Sequence, residues 1–279
     1  MIRDRLLARL AEMGDAPDHQ RLVAEELGIR GAPADLARKL VAQALVLEDR
    51  RDSWRQLGER IRRDAPAGPG VYLLKDAAGR ALYVGKAVNL RRRLRSHFAS
   101  GRWRALKPGM SRATQAEWIE VGSELEALVR EAALIAELRP VVNVQMKAPV
   151  NVELAVPSLS RRAVPGARER DVIVIVPSVE ADSVELVCAS VQGGCMIQRT
   201  RRTGVDLGVH SRRLRQFFRR GGAAQFAGLA PIVFTWLACR GATASRLDPH
   251  DAPSARALAV RLGALLRDER LFHDRIEQG

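Results

Sequence analysis

The stretch from Gly68 to Phe98, GPGVYLLKDAAGRALYVGKAVNLRRRLRSHF, constrains the fold of this 279-residue chain more than any other segment. The runs GVYLL and ALYVG are short and rich in β-branched and aromatic residues, and the DAAG between them supplies the glycine of a hairpin turn. In the NLRRRLRSHF that comes next, Leu90, Leu94 and Phe98 recur every four residues, and Asn89 is a suitable N-cap. The stretch therefore predicts a β-hairpin, with one tyrosine on each strand, followed by an arginine-rich helix.

Two further elements are predicted just downstream. TQAEWIEV alternates like a third strand, and SELEALVREAALIAELR begins with a capping box formed by Ser123 and Glu126. On this helix Glu131 interrupts the apolar stripe that passes through Leu128 and Ile135. An inward-facing carboxylate is costly unless a cation or a hydrogen-bond donor meets it. The spacing alone fits a salt bridge to Arg and a metal site equally well.

The two triplets Gly70-Val71-Tyr72 and Tyr83-Val84-Gly85 resemble the pair that names the GIY-YIG nuclease family. The order PGVY, YVGKA, NL and RL is similar to the N-terminal nuclease module of the UvrC excinuclease and its short homologue Cho. LVREAALIAELRPVVN is similar to the UvrC-like pattern LxxENxLIxxxxPxYN, from which Ala132 and Val142 depart. The resemblance covers residues 66–147, less than a third of the chain.

A phosphate-binding P-loop around Gly79 and Gly85-Lys86 is the rival interpretation of the hairpin. That pattern needs four residues between its glycines and a Ser or Thr after the lysine. Here five residues separate the glycines, and Ala87 follows the lysine. The spacing excludes a P-loop.

The resemblance implies a metal-dependent phosphodiester hydrolase. It implies Glu131 as the metal ligand for Mg²⁺ or Mn²⁺, Arg93 as the clamp on the scissile phosphate, and Asn143 as a residue that orients its neighbours. A tyrosine has a free pKa of about 10, so it can act as a base near neutral pH only if cations such as Lys86, Arg93 or His97 lower that value. The implied catalytic set is Tyr72, Tyr83, Lys86, Arg93, His97, Glu131 and Asn143, with Tyr83 the favoured base. For His97 alone, an ordinary place on the helix surface is the alternative.

The net charge of +14, with a pI near 11.0, favours a polyanionic partner. The charge is +1 over residues 1–64, +7 over 65–150 and +6 over 151–279, so it lies with the nuclease-like segment and the C-terminal part of the chain. The candidate DNA contacts are Arg91, Arg92, Arg95, Arg102, Arg104, Lys107, Arg212, Arg213, Arg215, Arg219 and Arg220. A solvated basic helix is the alternative for the second group of arginines.

The fold class predicted is α+β, in four parts: a helical region at 1–64, a GIY-YIG domain with a small three-stranded antiparallel sheet at 65–147, a linker at 148–170, and a small α+β domain at 171–279 that binds DNA or a partner. Within the last part, DVIVIVPS predicts a strand, and SVELVCASVQGGCMIQRT a hairpin that turns at Gly193-Gly194. SRRLRQFFRRGG predicts a basic helix, PIVFTWLACR (231–240) a buried strand, and SARALAVRLGALLRDERLF an amphipathic helix.

Cellular context is inferred from patterns that the sequence lacks. No CxxC pair occurs among Cys188, Cys195 and Cys239, which indicates reduced core thiols. No run of 18 apolar residues and no signal peptide is present, so we expect a cytoplasmic protein, associated with the nucleoid when active, and no membrane contact.

The leading hypothesis is an endonuclease of the UvrC/Cho type that nicks one strand of DNA, 3′ of a lesion, in repair. The resemblance then implies a UvrB-like damage-bound complex as its partner. Two alternatives stay open: a GIY-YIG nuclease that acts on branched or foreign DNA, and a catalytically silent module that only binds nucleic acid.

Overall fold

The computed structural model describes residues 2–14, 16–99, 109–145, 170–219, 223–240 and 244–268. They form an α+β fold with two antiparallel sheets, which confirms the predicted fold class. The helices are α1 (Ile2–Met13), α2 (His19–Glu26), α3 (Ala34–Asp64), α4 (Leu90–His97), α5 (Glu124–Leu138), α6 (Val141–Gln145), α7 (Leu207–Phe218), α8 (Ala230–Arg240) and α9 (Ala255–Arg267). The strands are β1 (Gly70–Lys75), β2 (Ala81–Ala87), β3 (Gln115–Glu120), β4 (Val172–Pro177), β5 (Ser183–Ala189), β6 (Cys195–Arg201) and β7 (Ser245–Leu247). The predicted linker, apart from its last residue, lies outside the described residues.

The N-terminal helices α1 to α3 form as predicted, and α3 has two packing partners. Its first half closes a small core with α1 and α2, in which Leu6, Leu22 and Val41 are buried. The whole helix has 31 residues. Its second half packs into the core of the nuclease-like hairpin through Trp54 and the buried residues that follow it. The ring of Trp54 stacks on that of Phe98, with centroids 4.0 Å apart and planes 21° apart. The N-terminal region therefore shares a core with the nuclease-like segment.

The first sheet has the order β2-β1-β3, all antiparallel. Tyr72 pairs with Gly85, and two positions along Leu74 pairs with Tyr83, so the two tyrosines are diagonal neighbours on one face. The hairpin turn is closed by the carboxylate of Asp76, which accepts hydrogen bonds from the backbone N–H groups of Ala78 and Arg80 at 3.0 Å. This register brings the two triplets together.

Helix α5 lies between the two sheets. Its N-cap is Ser123, whose Oγ accepts a hydrogen bond from Glu126 N. One side of the helix packs on the first sheet, where Ala127 meets Val71 and Val84. The opposite side contributes Leu128, Val129 and their apolar neighbours to the largest core of the second sheet. A single helix thus connects the nuclease-like segment with the C-terminal part.

The second sheet has the order β6-β5-β4-β7. Its hairpin turns at Gly193, which has a φ of 93° that favours glycine. Helices α7 and α9 cover one face, with Leu214 and Leu262 at the contact, while α5 and α8 cover the other. Apart from the strand predicted over 231–240, the predicted strand, hairpin and two helices of this part are confirmed. Among the described residues, no helix is long and apolar enough to cross a membrane.

The strand predicted over 231–240 is wrong, because these residues form α8. Their β-branched and aromatic content favoured a strand, but periodicity cannot distinguish a short apolar run in a strand from one in a buried helix. The structure places Ile232, Val233 and Trp236 against the second sheet, at the spacing of a helix face. The short strand β7, which was not predicted, pairs with β4 in their place at the sheet edge.

The stack between Trp54 and Phe98 predicts how strongly α3 stabilises the nuclease-like core. Trp54 is 4% exposed, so Trp54→Ala should lower the free energy of unfolding by about 3–5 kcal/mol, measured by urea denaturation. Trp54→Phe keeps an aromatic ring for the stack and should lower the free energy of unfolding by distinctly less. A loss within about 1 kcal/mol for the alanine variant would show that α3 does not support this core.

Candidate active site

Four predicted site residues meet on one face of the β1–β2 hairpin. Tyr72 and Tyr83 have ring centroids 5.9 Å apart, and the His97 ring lies 5.8 Å from the first and 6.4 Å from the second. Tyr72 Oη is 2.8 Å from His97 Nε2, a hydrogen bond. Arg93, one turn before His97 on α4, interacts with both tyrosine hydroxyls. The diagonal strand register and the four-residue helix spacing together create this cluster.

Gly85 makes room for the cluster. A Cβ at this position would lie 2.6 Å from Tyr72 Oη and 2.8 Å from Tyr83 Cε1, closer than real Cβ contacts allow. The last glycine of the second triplet is therefore required by the tyrosine rings rather than by an unusual backbone angle. Sequence reasoning gave Gly85 no role of its own, although its place opposite Tyr72 in the hairpin could have suggested one.

Glu131 reaches the cluster from α5. Its side chain is half-buried, and Oε1 accepts a hydrogen bond of 3.0 Å from the backbone N–H of Lys86. The ammonium of Lys86 makes an ion pair of 3.3 Å with Glu124, in the first turn of the same helix. Helix α5 is thus attached to strand β2 at two points, and the second of them, Glu124, was missed by the sequence analysis.

Asn143 supports the strand rather than lining the cluster. Its side chain is buried. The amide makes two hydrogen bonds with the backbone of Val84: Oδ1 accepts from Val84 N at 2.8 Å, and Nδ2 donates to Val84 O at 3.0 Å. Val84 lies between Tyr83 and Gly85, so the pair fixes the backbone that carries them. The orienting role that the resemblance implied for Asn143 stays a prediction, which these two hydrogen bonds favour.

Burial dominates the electrostatics of the two phenols. Tyr72 is 1% and Tyr83 7% exposed, and this burial raises the pKa of both above the ordinary value. The negative charge of Glu131 raises the pKa of Tyr83 further, while Arg93 lowers both values without reversing the direction. The protein side chains alone therefore keep both hydroxyls protonated at neutral pH, contrary to the expectation that nearby cations would lower their pKa values.

The donor set around Glu131 fits a hard divalent cation with few protein ligands. In the described part of the chain, no group of three or more His, Cys, Asp or Glu side chains is placed to hold a metal ion. A cation at Glu131 would accordingly take one carboxylate from the protein and its other ligands from water and phosphate. Mg²⁺ is commonly bound in this way, through one or two carboxylates with several waters retained.

Two arginines of α4 hydrogen-bond the C-terminal end of α3. Arg91 Nε donates to Ala65 O at 2.7 Å, and Arg95 donates to Arg62 O at 3.2 Å. Arg92 is exposed. The DNA contacts predicted for these three residues stay predictions. Four further candidates, Arg102, Arg104, Lys107 and Arg220, lie outside the described residues.

The second basic group lies on α7, far along the chain from the tyrosine cluster. Arg212, Arg213 and Arg219 are exposed, and Arg215 donates a hydrogen bond to Ala252 O. Within the residues that the structure covers, none of these four arginines makes an ion pair. Beside them is a cavity of about 190 Å³ lined by Arg215, Phe218, Arg219, Pro249, His250, Ala252 and Pro253.

The contact between Gly85 and the tyrosines predicts an effect on DNA cleavage, the activity implied by the resemblance. Gly85→Ala should displace the rings and lower the cleavage rate by about a hundredfold, as a displacement of about 1 Å at a reacting group does. Gly68→Ala is the matched control, because a Cβ there meets only Glu120 Oε2 at an ordinary 3.6 Å. Plasmid nicking, with circular dichroism to check folding, measures both. Equal rates for the two variants would mean that the tyrosine positions do not matter.

Comparison with known proteins finds relatives for one segment of the chain. A family model described as a UvrC-like GIY-YIG domain matches residues 68–144. The UvrABC system protein C of Desulforudis audaxviator is 45% identical over 82 residues, and that of Syntrophus aciditrophicus is 49% identical over 81 residues. Each of these alignments covers 29% of this chain and 13% of the relative, so the chain spans only a small part of the curated relatives it matches.

A solved structure covers the same segment. The GIY-YIG N-terminal endonuclease domain of UvrC from Thermotoga maritima, a crystal structure with its catalytic magnesium bound, is 37% identical. The alignment covers 96% of that domain and 30% of this chain, with a TM-score of 0.26. The chain therefore contains a UvrC-like GIY-YIG domain at residues 68–144.

Proposed function

We propose that this protein is a Mg²⁺-dependent DNA endonuclease of the UvrC type that nicks one strand during excision repair. The observation that carries the proposal is the convergence of Tyr72, Tyr83, Arg93 and His97 from two strands and one helix, with Glu131 entering from another. The UvrC domain of Thermotoga maritima binds a catalytic magnesium ion, and the fit of the Glu131 carboxylate to such an ion supports the same requirement here.

Glu131 would hold the metal ion. When bound, the ion supplies positive charge to the scissile phosphate and lowers the pKa of a coordinated water. It would also compensate the carboxylate charge that raises the pKa of Tyr83. Manganese could replace magnesium at the same oxygen ligand.

The remaining side chains of the site have different proposed roles in the hydrolysis of the phosphodiester. Tyr83, whose pKa the Glu131 carboxylate raises, is the group proposed to take the proton of the attacking water. Arg93 would bind the phosphate oxygens, because its guanidinium already interacts with both tyrosine hydroxyls. Tyr72 and His97 hold each other through their hydrogen bond and keep the surrounding rings in place. Lys86, paired with Glu124, fixes the strand on which Tyr83 lies.

The proposed product is a single nick. One site with one metal carboxylate would hydrolyse one phosphodiester per binding event. Incision 3′ of a lesion, and recruitment by a UvrB-like complex already loaded on the damage, are proposed from the similarity to UvrABC system protein C. Arginine–phosphate contacts carry no base information, so such a partner would supply the location.

Glu131 provides the direct test of the reaction. Glu131→Gln should abolish nicking of lesion-bearing supercoiled plasmid in Mg²⁺, a loss of at least about a hundredfold, with DNA binding retained. Glu137→Gln, an exposed position on the same helix, is the matched control and should leave the rate unchanged. Relaxed plasmid should appear without prompt linear product, and faster when UvrA and UvrB are present. Cleavage by the Glu131→Gln variant at the wild-type rate would contradict the metal assignment.

Prompt linearisation of undamaged plasmid without a partner would instead favour a dimeric nuclease for branched or foreign DNA. A wild-type protein that binds DNA but never cuts it would favour the catalytically silent module.

We also propose that α7 binds the DNA backbone. Its exposed arginines and the adjoining cavity, whose lining includes Arg219, Phe218 and His250 but no acid, suit a phosphate beside an aromatic ring. This surface would hold the duplex without reading its sequence.

The α7 proposal predicts a change in salt dependence. Replacing Arg212, Arg213 and Arg219 with Gln should reduce the slope of log K against log salt by roughly 0.7–0.9 for each lost phosphate contact. The matched control removes three exposed cations from the N-terminal region, by replacing Arg30, Arg38 and Lys39 with Gln. Fluorescence anisotropy with labelled duplex measures both slopes. An α7 variant with the control's slope would refute the contact.

A further inference from the structure

A charge cluster with two buried acids joins helix α5 to the second sheet. Arg199 on β6 donates through Nη2 to Glu126 Oε2 at 3.1 Å and to Glu185 Oε1 at 3.2 Å. Its Nη1 donates to Glu180 at 3.0 Å. Glu185 also accepts a hydrogen bond from the Oγ of Ser123, the N-cap of α5. One arginine of the C-terminal part thus binds the first turn of the nuclease helix.

The backbone at Gly122, just before α5, also contacts the second sheet closely. Gly122 N donates to Glu126 Oε2 at 2.9 Å, and Gly122 O accepts from Val179 N, just after β4, at 2.8 Å. A Cβ on Gly122 would lie 2.0 Å from Glu185 Oε1, so no larger residue fits. The chain that enters α5 is therefore enclosed by the second sheet.

The two acids of the cluster are shielded from water. Glu185 is fully buried, and the Glu126 side chain is 5% exposed. Burial and the neighbouring Glu126 raise the pKa of Glu185 to about 8. Burial also acts on Glu126, but hydrogen bonds from Glu185, Gly122 and Arg130 outweigh it and lower its pKa. Arg130 pairs with Glu126, and Arg199 pairs with both acids, so the two arginines compensate the negative charge of the pair.

The cluster binds the first turn of α5, so a small tilt of the helix there displaces Glu131 further along. Glu131 lies eight residues beyond Ser123, about 12 Å along the helix at 1.5 Å per residue. A tilt of about 5° at the first turn therefore moves Glu131 by about 1 Å. A displacement of that size is enough to lower a catalytic rate by about a hundredfold.

We propose that Arg199 and Glu185 are positioning residues of the nuclease site, which hold α5 so that Glu131 can bind the divalent cation. The inference rests on the proposed function of Glu131 as the metal ligand. The C-terminal sheet is then a structural part of the cation site, in addition to any contact with DNA.

Binding of Mn²⁺ alone to the full chain tests this without relying on catalysis. Electron paramagnetic resonance of free Mn²⁺ gives the dissociation constant, at a temperature where circular dichroism shows every variant folded. Arg199→Met should raise that constant by about tenfold or more, the usual effect of losing a residue that supports a metal ligand. Arg201→Met, an exposed arginine on the same strand, should leave it unchanged. DNA binding in EDTA should be the same for both, because the change concerns the cation.

The conservative variants separate positioning from general packing. Glu185→Gln keeps the size and neutrality of the protonated acid, so Mn²⁺ affinity at pH 7 should stay within about twofold of wild type. Glu185→Leu removes the bonds to Ser123 and Arg199 and should behave like Arg199→Met. If the methionine variant does not fold, Arg199→Lys replaces it, because a lysine keeps the charge but cannot bridge several carboxylates in a planar fork.

Two outcomes overturn the proposal. Wild-type Mn²⁺ affinity and nicking in a folded Arg199→Met or Arg199→Lys variant would show that the cluster is only a packing contact. Lower melting temperature with an unchanged Mn²⁺ constant would show the same. A wild-type protein that neither binds Mn²⁺ nor nicks DNA would fail the proposed function itself, which is a different result.

Discussion

The packing of helix α5 between two sheets is the constraint on which the rest of the structure depends. Its two apolar faces each complete the core of one sheet, so the helix cannot shift toward one sheet without opening a cavity at the other. The same helix carries Glu131 to the tyrosine cluster and the capping residue Ser123 to the buried acids of the second sheet. Structural integrity and the geometry of the candidate site are thus carried by one element.

The candidate site combines strong burial with very little charge. Two phenols are almost completely shielded from water, and one carboxylate beside them makes deprotonation of Tyr83 harder. In such a site a divalent cation has a large effect, because charges interact strongly where water is excluded. The cation proposed at Glu131 would offset the carboxylate charge that disfavours deprotonation of Tyr83.

The C-terminal part shows where local patterns are insufficient. The run 231–240 has the composition of a strand, yet it forms α8, because the core between α5 and the second sheet needs a helix face there. The raised pKa values of the tyrosines were also not predictable, since sequence spacing placed cations near them but could not tell how completely water was excluded. Both errors concern neighbours that are distant in the sequence.

The sequence by itself determined the β-hairpin, the capped helices α4 and α5 and the α+β class, because turn glycines, caps and hydrophobic periodicity act over a few residues. Its resemblance to the GIY-YIG pattern also singled out the tyrosines, Arg93, His97 and Glu131. Only the tertiary structure decided the requirement for Gly85 and the cluster of Glu126, Glu185 and Arg199. These depend on contacts between residues up to 73 positions apart, which form only when the two sheets close on α5.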